Sequence, residues 1–523
     1  MMRSTFARVL VCVTAASLVM PLVACSPAAP DKPSPSPSGT PAGLESFYNQ
    51  KLAWEKCDDY ATNETESKVF ALSGALECTR MNVPLNYDDA AGRTIQIAVM
   101  RKPARGQAIG SLVLNPGGPG GSGLFAAAAS SATLATSPLT ERFQLVSFDP
   151  RGVGASVPAI DCYSDDENDR GAVKLSAQGT TLQLTEQDTR EIFDRCAKGS
   201  GGAEMLTHVG TRDTARDMDV LRAVLGDEKL SFLGQSYGTR LGAVYAEQFP
   251  QNVRAMLLDG AIDPQQGTVQ RRASAYAGFQ GAFDRMAAFC ATQESCPLGG
   301  DPAKATQEFQ KIVRPLYATP VPALGVELRF DDAVGGVIAG LYTKEAWPRI
   351  INGLTQLQQG RGDELLQLSR DFSGRDAKGA WTNFAEANFA INCMDEERLS
   401  EQEGGRLRTE TFRDAPFMDP GVDVSTGARE GCEHWPAKPT LGYPYADNVE
   451  GLPNTLVVSI TGDPTTPHAG GISLAKTLGS ALLTVQGEGH TIVLAGTNPC
   501  VLQIAADYLI NLKLPAEGAT CTG

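Results

Sequence analysis

A serine between glycines, a histidine between small residues and an aspartate closing a strand have the types and spacing for acyl-transfer chemistry. Ser236 stands in G-Q-S-Y-G at residues 234–238, after the apolar run LSFLG and before a helical pattern. A sharp strand-to-helix turn of this kind lifts the hydroxyl above a sheet and aims backbone N–H groups at an oxyanion formed there. A serine that only caps a helix would leave the same local pattern. A serine hydroxyl is a weak nucleophile without a base, and histidine is the natural base near neutral pH. The chain has four. With such an elbow the acid and then the base follow the serine, so His208 is out of order. His434 sits beside Cys432 in a helical region, and His468 follows Pro467 at a helix start. His490 ends a strand in the loop GEGHT and is the expected base.

The acid must orient the imidazole and stabilise its charged form. Asp463 ends the preceding apolar run in TGDPTTP, 27 residues before His490. Asp259 in LLDG and Asp149 in FDPRG also close apolar runs. Asp463 is the expected acid and Asp259 its rival, while Asp149 is expected to organise a turn with Arg151. The oxyanion needs backbone donors about 3 Å away. One is expected at Tyr237, after the nucleophile. The others are expected in N-P-G-G-P-G-G-S-G at 115–123, where Gly117 and Gly118 leave the backbone bare. That loop lacks the Lys-Ser/Thr pair of a phosphate-binding loop. With no H-E-x-x-H motif either, no metal or cofactor is expected.

The elements that must position these residues alternate. Apolar runs at 94–100, 111–115, 143–149, 230–234 and 253–260 predict buried strands. Helical patterns at 213–225 and 239–249 lie between them. From 265 to 450 amphipathic helices dominate, as in GFQGAFDRMAAFCATQ and EAWPRIINGLTQLQQG. Strands return at 454–463 and 481–490, with helices at 470–478 and 500–512. The expectation is an α/β fold, a mainly parallel sheet covered on both faces. Its core spans 45–264 and 451–523, split by a helical cap insertion over the strand ends where such sheets bind ligands.

At 523 residues, with 42% hydrophobic and 20% charged side chains, the composition is globular. Residues 1–24 read as an export signal: Arg3 and Arg8 precede an apolar run too short to span a membrane comfortably. The run ends in Leu22-Val23-Ala24-Cys25, which resembles a lipobox, so Cys25 is expected to be lipidated. The Pro/Ser-rich stretch 25–44 then serves as an extended tether, and the expected location is the cell membrane or envelope, lipid-anchored, with secretion as the alternative. Removing residues 1–24 takes away Arg3 and Arg8 and moves the formal charge from -15 to -17. So acidic a chain argues against nucleic acid as a partner and favours attachment by lipid over a basic patch. Ten cysteines remain in the exported part, an even number that predicts disulfides. Roughly 900 pairings are possible. Taken as neighbours along the chain they would pair Cys57–Cys78, Cys162–Cys196, Cys290–Cys296, Cys393–Cys432 and Cys500–Cys521.

P-G-G-P-G at 116–120, D-P-R-G at 149–152, G-Q-S-Y-G-T at 234–239, G-D-P-x-T-P at 462–467 and G-x-G-H at 487–490 together resemble the α/β-hydrolases of the tripeptidyl aminopeptidase and proline iminopeptidase group. Within it the chain is similar to the mycobacterial envelope lipoprotein serine proteases. The resemblance covers nearly all of the chain after the tether. It implies Ser236 as nucleophile, Asp463 as acid, His490 as base, amide donors near Gly118 and Tyr237, and support of Asp463 by Thr466. It departs from the iminopeptidases at Pro116, where they carry a histidine; the amides of the loop remain. In this group acidic cap residues bind the free amine of a peptide, which makes Asp395 or Glu396 in INCMDEE the candidate. The implied activity is peptide cleavage by an acyl-enzyme route, as an aminopeptidase releasing short peptides. The alternatives are a carboxylesterase with the same triad, or an inactive hydrolase fold that binds a partner.

Overall fold

Short runs of leucine and β-branched residues, buried on both sides, build a nine-stranded sheet. The computed structural model describes residues 42–175 and 182–523. Cys25, the signal and most of the tether lie outside the described residues. The strands are β1 (Glu77–Pro84), β2 (Thr94–Lys102), β3 (Ser111–Asn115), β4 (Gln144–Phe148), β5 (Leu230–Gln235) and β6 (Val253–Asp259). A small hairpin, β7 (Val321–Ala323) and β8 (Val326–Leu328), stands apart. β9 (Leu456–Gly462), β10 (Ala481–Glu488) and β11 (Thr520–Thr522) complete the sheet. Its order is β1-β2-β4-β3-β5-β6-β9-β10-β11. β2 pairs antiparallel with β1 and β4, and every other pairing is parallel.

The period of two along each strand sends neighbours to opposite faces. Val113 and Phe232 pack with the helices Thr211–Val224 and Tyr237–Gln248 on one face. Leu112, Leu114, Leu233 and Leu257 pack with the helix Pro499–Asn511 on the other. β3 and β5 are buried along their whole length, which is why they read as unbroken apolar runs. β1, β11 and the hairpin were not expected. β1 carries Glu77, Arg80 and Asn82 among its apolar residues, and β11 is three residues long, tied back by the Cys500–Cys521 bond.

Residues 268–418 are mostly helical and hold a core of their own, in which Phe283 stacks on Phe417 at 5.0 Å and Phe309 meets it edge-on. One helix of the insertion departs from this. Phe384–Asp395 is apolar on several sides, and its Ala387, Phe389, Ile391 and Met394 join the core on the sheet's flank. The cap is therefore stitched into the sheet layer, and the described residues form one compact unit. All five neighbouring cysteine pairs are bonded: Cys57–Cys78, Cys162–Cys196, Cys290–Cys296, Cys393–Cys432 and Cys500–Cys521. Five disulfides place the fold in an oxidising compartment outside the cytoplasm. Among the described residues no helix is long and apolar enough to cross a membrane.

The expected turn between Asp149 and Arg151 forms differently. Asp149 accepts from Ser122 Oγ, Leu124 N and Ala155 N, and so holds the start of the helix Gly123–Thr133. Arg151 turns away and makes a two-pronged bond to Asp217 at 2.6 and 2.7 Å. Both side chains are fully buried, and Arg151 also donates to the carbonyls of Leu85 and His208 while Tyr87 donates to Asp217. Asp217→Ala would leave a buried guanidinium uncompensated. We expect a loss of about 3–5 kcal/mol, read by denaturant unfolding of the oxidised protein, with Asp217→Glu losing less.

Candidate active site

Ser236 joins β5 to the helix Tyr237–Gln248 with φ 55° and ψ −121°. A non-glycine residue holds this conformation only where its surroundings impose it, at a cost of about 1–3 kcal/mol. The surroundings are tight. A Cβ on Gly234 would lie 2.3 Å from the Gly238 carbonyl oxygen, and one on Gly238 would lie 2.8 Å from the Asn115 carbonyl oxygen. Strand, helix and the β3 terminus therefore meet only because these positions carry no side chain. The Ser236 amide donates to the Asp259 carbonyl at 2.9 Å, and Thr239 closes the turn by donating to the Ser236 carbonyl.

Asp463 and His490 follow β9 and β10 on the same edge of the sheet. His490 Nδ1 lies 2.9 and 3.0 Å from the two Asp463 oxygens. Asp463 is buried and also accepts from the amides of Thr465 and Thr466 and from Thr466 Oγ1. With Asp463 acceptor-only, Nδ1 carries the proton and Nε2 is left as the basic nitrogen. Gly260, one residue past β6, packs against this pair. A Cβ there would lie 3.2 Å from Thr466 Oγ1 and 3.3 Å from His490 Cε1.

The rival acid does other work. Asp259 is fully buried, and its Oδ2 accepts from Gln235 Nε2 at 2.9 Å and from the Ile492 and Val493 amides at 2.8 Å. Burial pushes its carboxyl up, opposed by these donors and by His490 nearby. It thus holds the loop after His490 and the residue before Ser236. Of the other histidines, His468 bonds Ser459 and His208 lies by Asp213.

The loop after β3 closes over the elbow. Gly117 is not a free donor as expected: its amide is taken by Asn115 Oδ1 at 3.1 Å. Its role is steric, since a Cβ there would sit 2.5 Å from the Gln235 carbonyl oxygen and 2.8 Å from Ser236 Cβ. Among the described residues the amides of Gly118 and Tyr237 have no acceptor, and both residues line a cavity of about 210 Å³ together with Ser236. Two residues that the sequence reading missed fix this geometry from the insertion. Asn388 donates to the Pro119 carbonyl at 2.9 Å. The Tyr342 carbonyl accepts the His490 amide at 2.9 Å, and the Tyr342 ring meets the imidazole edge-on at 5.3 Å. Neither lies in a motif, and nothing in the sequence ties them to a site more than a hundred residues away.

The expected amine-binding acids are also placed otherwise. Asp395 is 1% exposed. It is turned into the core, where it accepts from the Thr211 amide and hydroxyl and lies 3.5 Å from Arg240. Glu396 reaches the cavity wall but is bound by Arg271 and Arg272. Burial would raise its carboxyl, yet the two arginines hold it down to about 2. The acid on the wall with no cationic partner among the described residues is Glu397, which accepts the Thr268 amide.

A profile of the alpha/beta hydrolase fold family matches residues 110–497. The chain is 40% identical over 490 residues to the "Serine protease Hip1" of Mycobacterium tuberculosis, covering 91% of this chain and 92% of that protein. It is 36% identical over 474 residues to "Carboxylesterase B" of the same organism, covering 90% and 89%. It is 30% identical over 487 residues to the "Tripeptidyl aminopeptidase" of Streptomyces lividans, covering 90% and 86%. With an elbow serine at the end of β5 and a histidine–aspartate pair following β10 and β9, the chain is a serine hydrolase and belongs to the α/β-hydrolase fold family.

Proposed function

We propose that this protein is an exported serine peptidase that releases short peptides from the N-termini of its substrates. The carrying observation is the hydrogen-bonded Asp463–His490 pair, together with a strained serine and two residues with unbonded amides that line one cavity. Ser236 Oγ attacks the scissile carbonyl while His490 Nε2 takes its proton. The carbonyl oxygen becomes an oxyanion held by the Gly118 and Tyr237 amides. His490 then returns the proton to the leaving amine, and a covalent acyl-enzyme remains on Ser236. Water, activated by His490, releases the acyl group in the mirror sequence. Asp463, itself held by Thr465 and Thr466, keeps the imidazole in its tautomer and stabilises the imidazolium. Relatives named serine protease and tripeptidyl aminopeptidase support peptides as substrates. The covered cavity suits short or extended chains, and Glu397 is the acid available to a free amine. Cys25 carries the lipid that anchors the protein in the envelope, and the Pro/Ser-rich segment holds the fold away from the membrane. A second reading, an esterase, is favoured by the relative named carboxylesterase, because both reactions pass through the same tetrahedral intermediate.

Ser236→Ala is expected to lower kcat/KM by about 10,000-fold or more without changing the unfolding midpoint, and to abolish labelling by a fluorophosphonate. Turnover close to wild type would refute the mechanism. A tripeptide chromogen with a free amine should be cleaved well and its N-acetylated twin poorly. Glu397→Gln should raise KM for the free-amine substrate alone. Equal cleavage of both peptides would make the enzyme an endopeptidase, and turnover of a short-chain ester alone would make it an esterase.

A further inference from the structure

We propose that the cavity above Ser236 recognises a carboxylate on the substrate, through Arg398 and Arg408 on the insertion and Arg240 one helical turn after the nucleophile. This deepens the peptidase reading and rests on it. Among the described residues seven basic and three acidic side chains line the cavity, in a chain whose formal charge is -15. Most of these charges are spent. Arg271 and Arg272 are bound by Glu396 and Glu430. Lys174 is matched by Asp188 and Arg429 by Glu433, both behind the wall.

Arg398 and Arg408 are different. Both are half-buried, and among the described residues both donate only to backbone carbonyls: Arg398 to Glu396 and Ala437, Arg408 to Leu182 and Val424. Burial lowers both guanidinium groups, against an upward pull from Glu430 on each. A desolvated cation with no carboxylate partner is costly unless a ligand supplies one. Arg240 adds a second, independent observation. Its side chain is 2% exposed, it lines the same cavity as Ser236, and its Nε has no acceptor. Asp395 stands behind it and accepts from Nη1 at 3.5 Å, which leaves the Nε donor unmatched. A planar N–H fork met only by carbonyls fits a carboxylate better than any neutral group. On a peptide that carboxylate is an Asp or Glu side chain or a free C-terminus. Arg398 and Arg408 are binding residues in this reading and touch no reacting atom.

The test is made on both sides of the contact. Binding of short peptides to the Ser236→Ala protein is measured by calorimetry, with Glu, Gln or Lys at each position and the C-terminus free or amidated. A carboxylate should tighten binding by at least about 10-fold over its neutral twin. The position at which it does so separates a side-chain source from a terminal one. In the active protein, Arg408→Gln and Arg398→Gln should raise KM for the carboxylate peptide by about 10-fold, with kcat kept and the Gln peptide unaffected. Arg408→Lys should recover part of the loss. Equal binding of Glu and Gln peptides and of free and amidated termini would overturn the proposal, as would tighter binding of Lys peptides. The calorimetric readout is independent of turnover, so failure there with Ser236 of the active protein still labelled by a fluorophosphonate would leave the peptidase reading intact. Loss of that labelling would strike the peptidase reading instead.

Discussion

One buried oxygen, Asp259 Oδ2, joins the parts of the site that the chain supplies from far apart. It accepts from Gln235, the residue before the nucleophile, and from the amides of Ile492 and Val493, just past the histidine. The carbonyl of the same residue takes the Ser236 amide. An elbow at a positive φ is costly and would relax if its flanks were loose. Here the flanks are the parallel pairing of β5 with β6, which sets Gln235 against Asp259, and the pairing of β9 with β10. The sheet register therefore sets the spacing between nucleophile and base, and Asp259 converts register into position. Each of its hydrogen bonds contributes about 1 kcal/mol net, but together they hold three segments whose freedom would otherwise misplace reacting groups.

The insertion is a structural partner of the sheet as well as a cover. The helix Phe384–Asp395 puts its apolar side chains into the core flanking the sheet and its Asn388 onto the loop after β3. A Cβ on Gly120 would lie 2.7 Å from the Phe384 carbonyl oxygen, so loop and helix approach as closely as backbones can. The same helix ends in Asp395, which ties Thr211 and Arg240 together beneath the nucleophile's helix. A carboxylate buried so deeply is tolerated because both of its oxygens accept hydrogen bonds. That is a scaffold's arrangement, and it leaves Asp395 no part in meeting a substrate.

The fold and the elbow were legible because their signals are local. An apolar run ending in G-x-S-x-G reports a strand, a tight turn and a helix within about a dozen residues, and the physics of that turn demands the glycines. Asp463 and His490 were legible for a similar reason, each ending a strand in a loop of small residues. The disulfide pairs followed chain order because each closes a short loop, at most 39 residues apart. What failed was everything that depends on a distant partner. Asp395 and Glu396 looked like exposed acids on a helical insertion, but Arg240, Arg271 and Arg272 lie more than a hundred residues earlier and consume them. Arg151 looked like the partner of Asp149, two residues away, yet its charge is answered by Asp217 on another element. Gly117 read as a donor, whereas the asparagine two residues before it takes its amide. β1 and β11 escaped because strands at a sheet's margin need no apolar run to be held.

The Tyr342 carbonyl, which accepts the His490 amide, has a consequence for how such enzymes diversify. An insertion that only roofed a cavity could be exchanged between relatives as a module, bringing a new specificity and leaving the chemistry untouched. This one cannot. Any replacement segment has to return a main-chain acceptor to the same point beside the histidine, whatever side chains it carries. A change of specificity that keeps this contact falls on the side chains of the insertion and not on its backbone path.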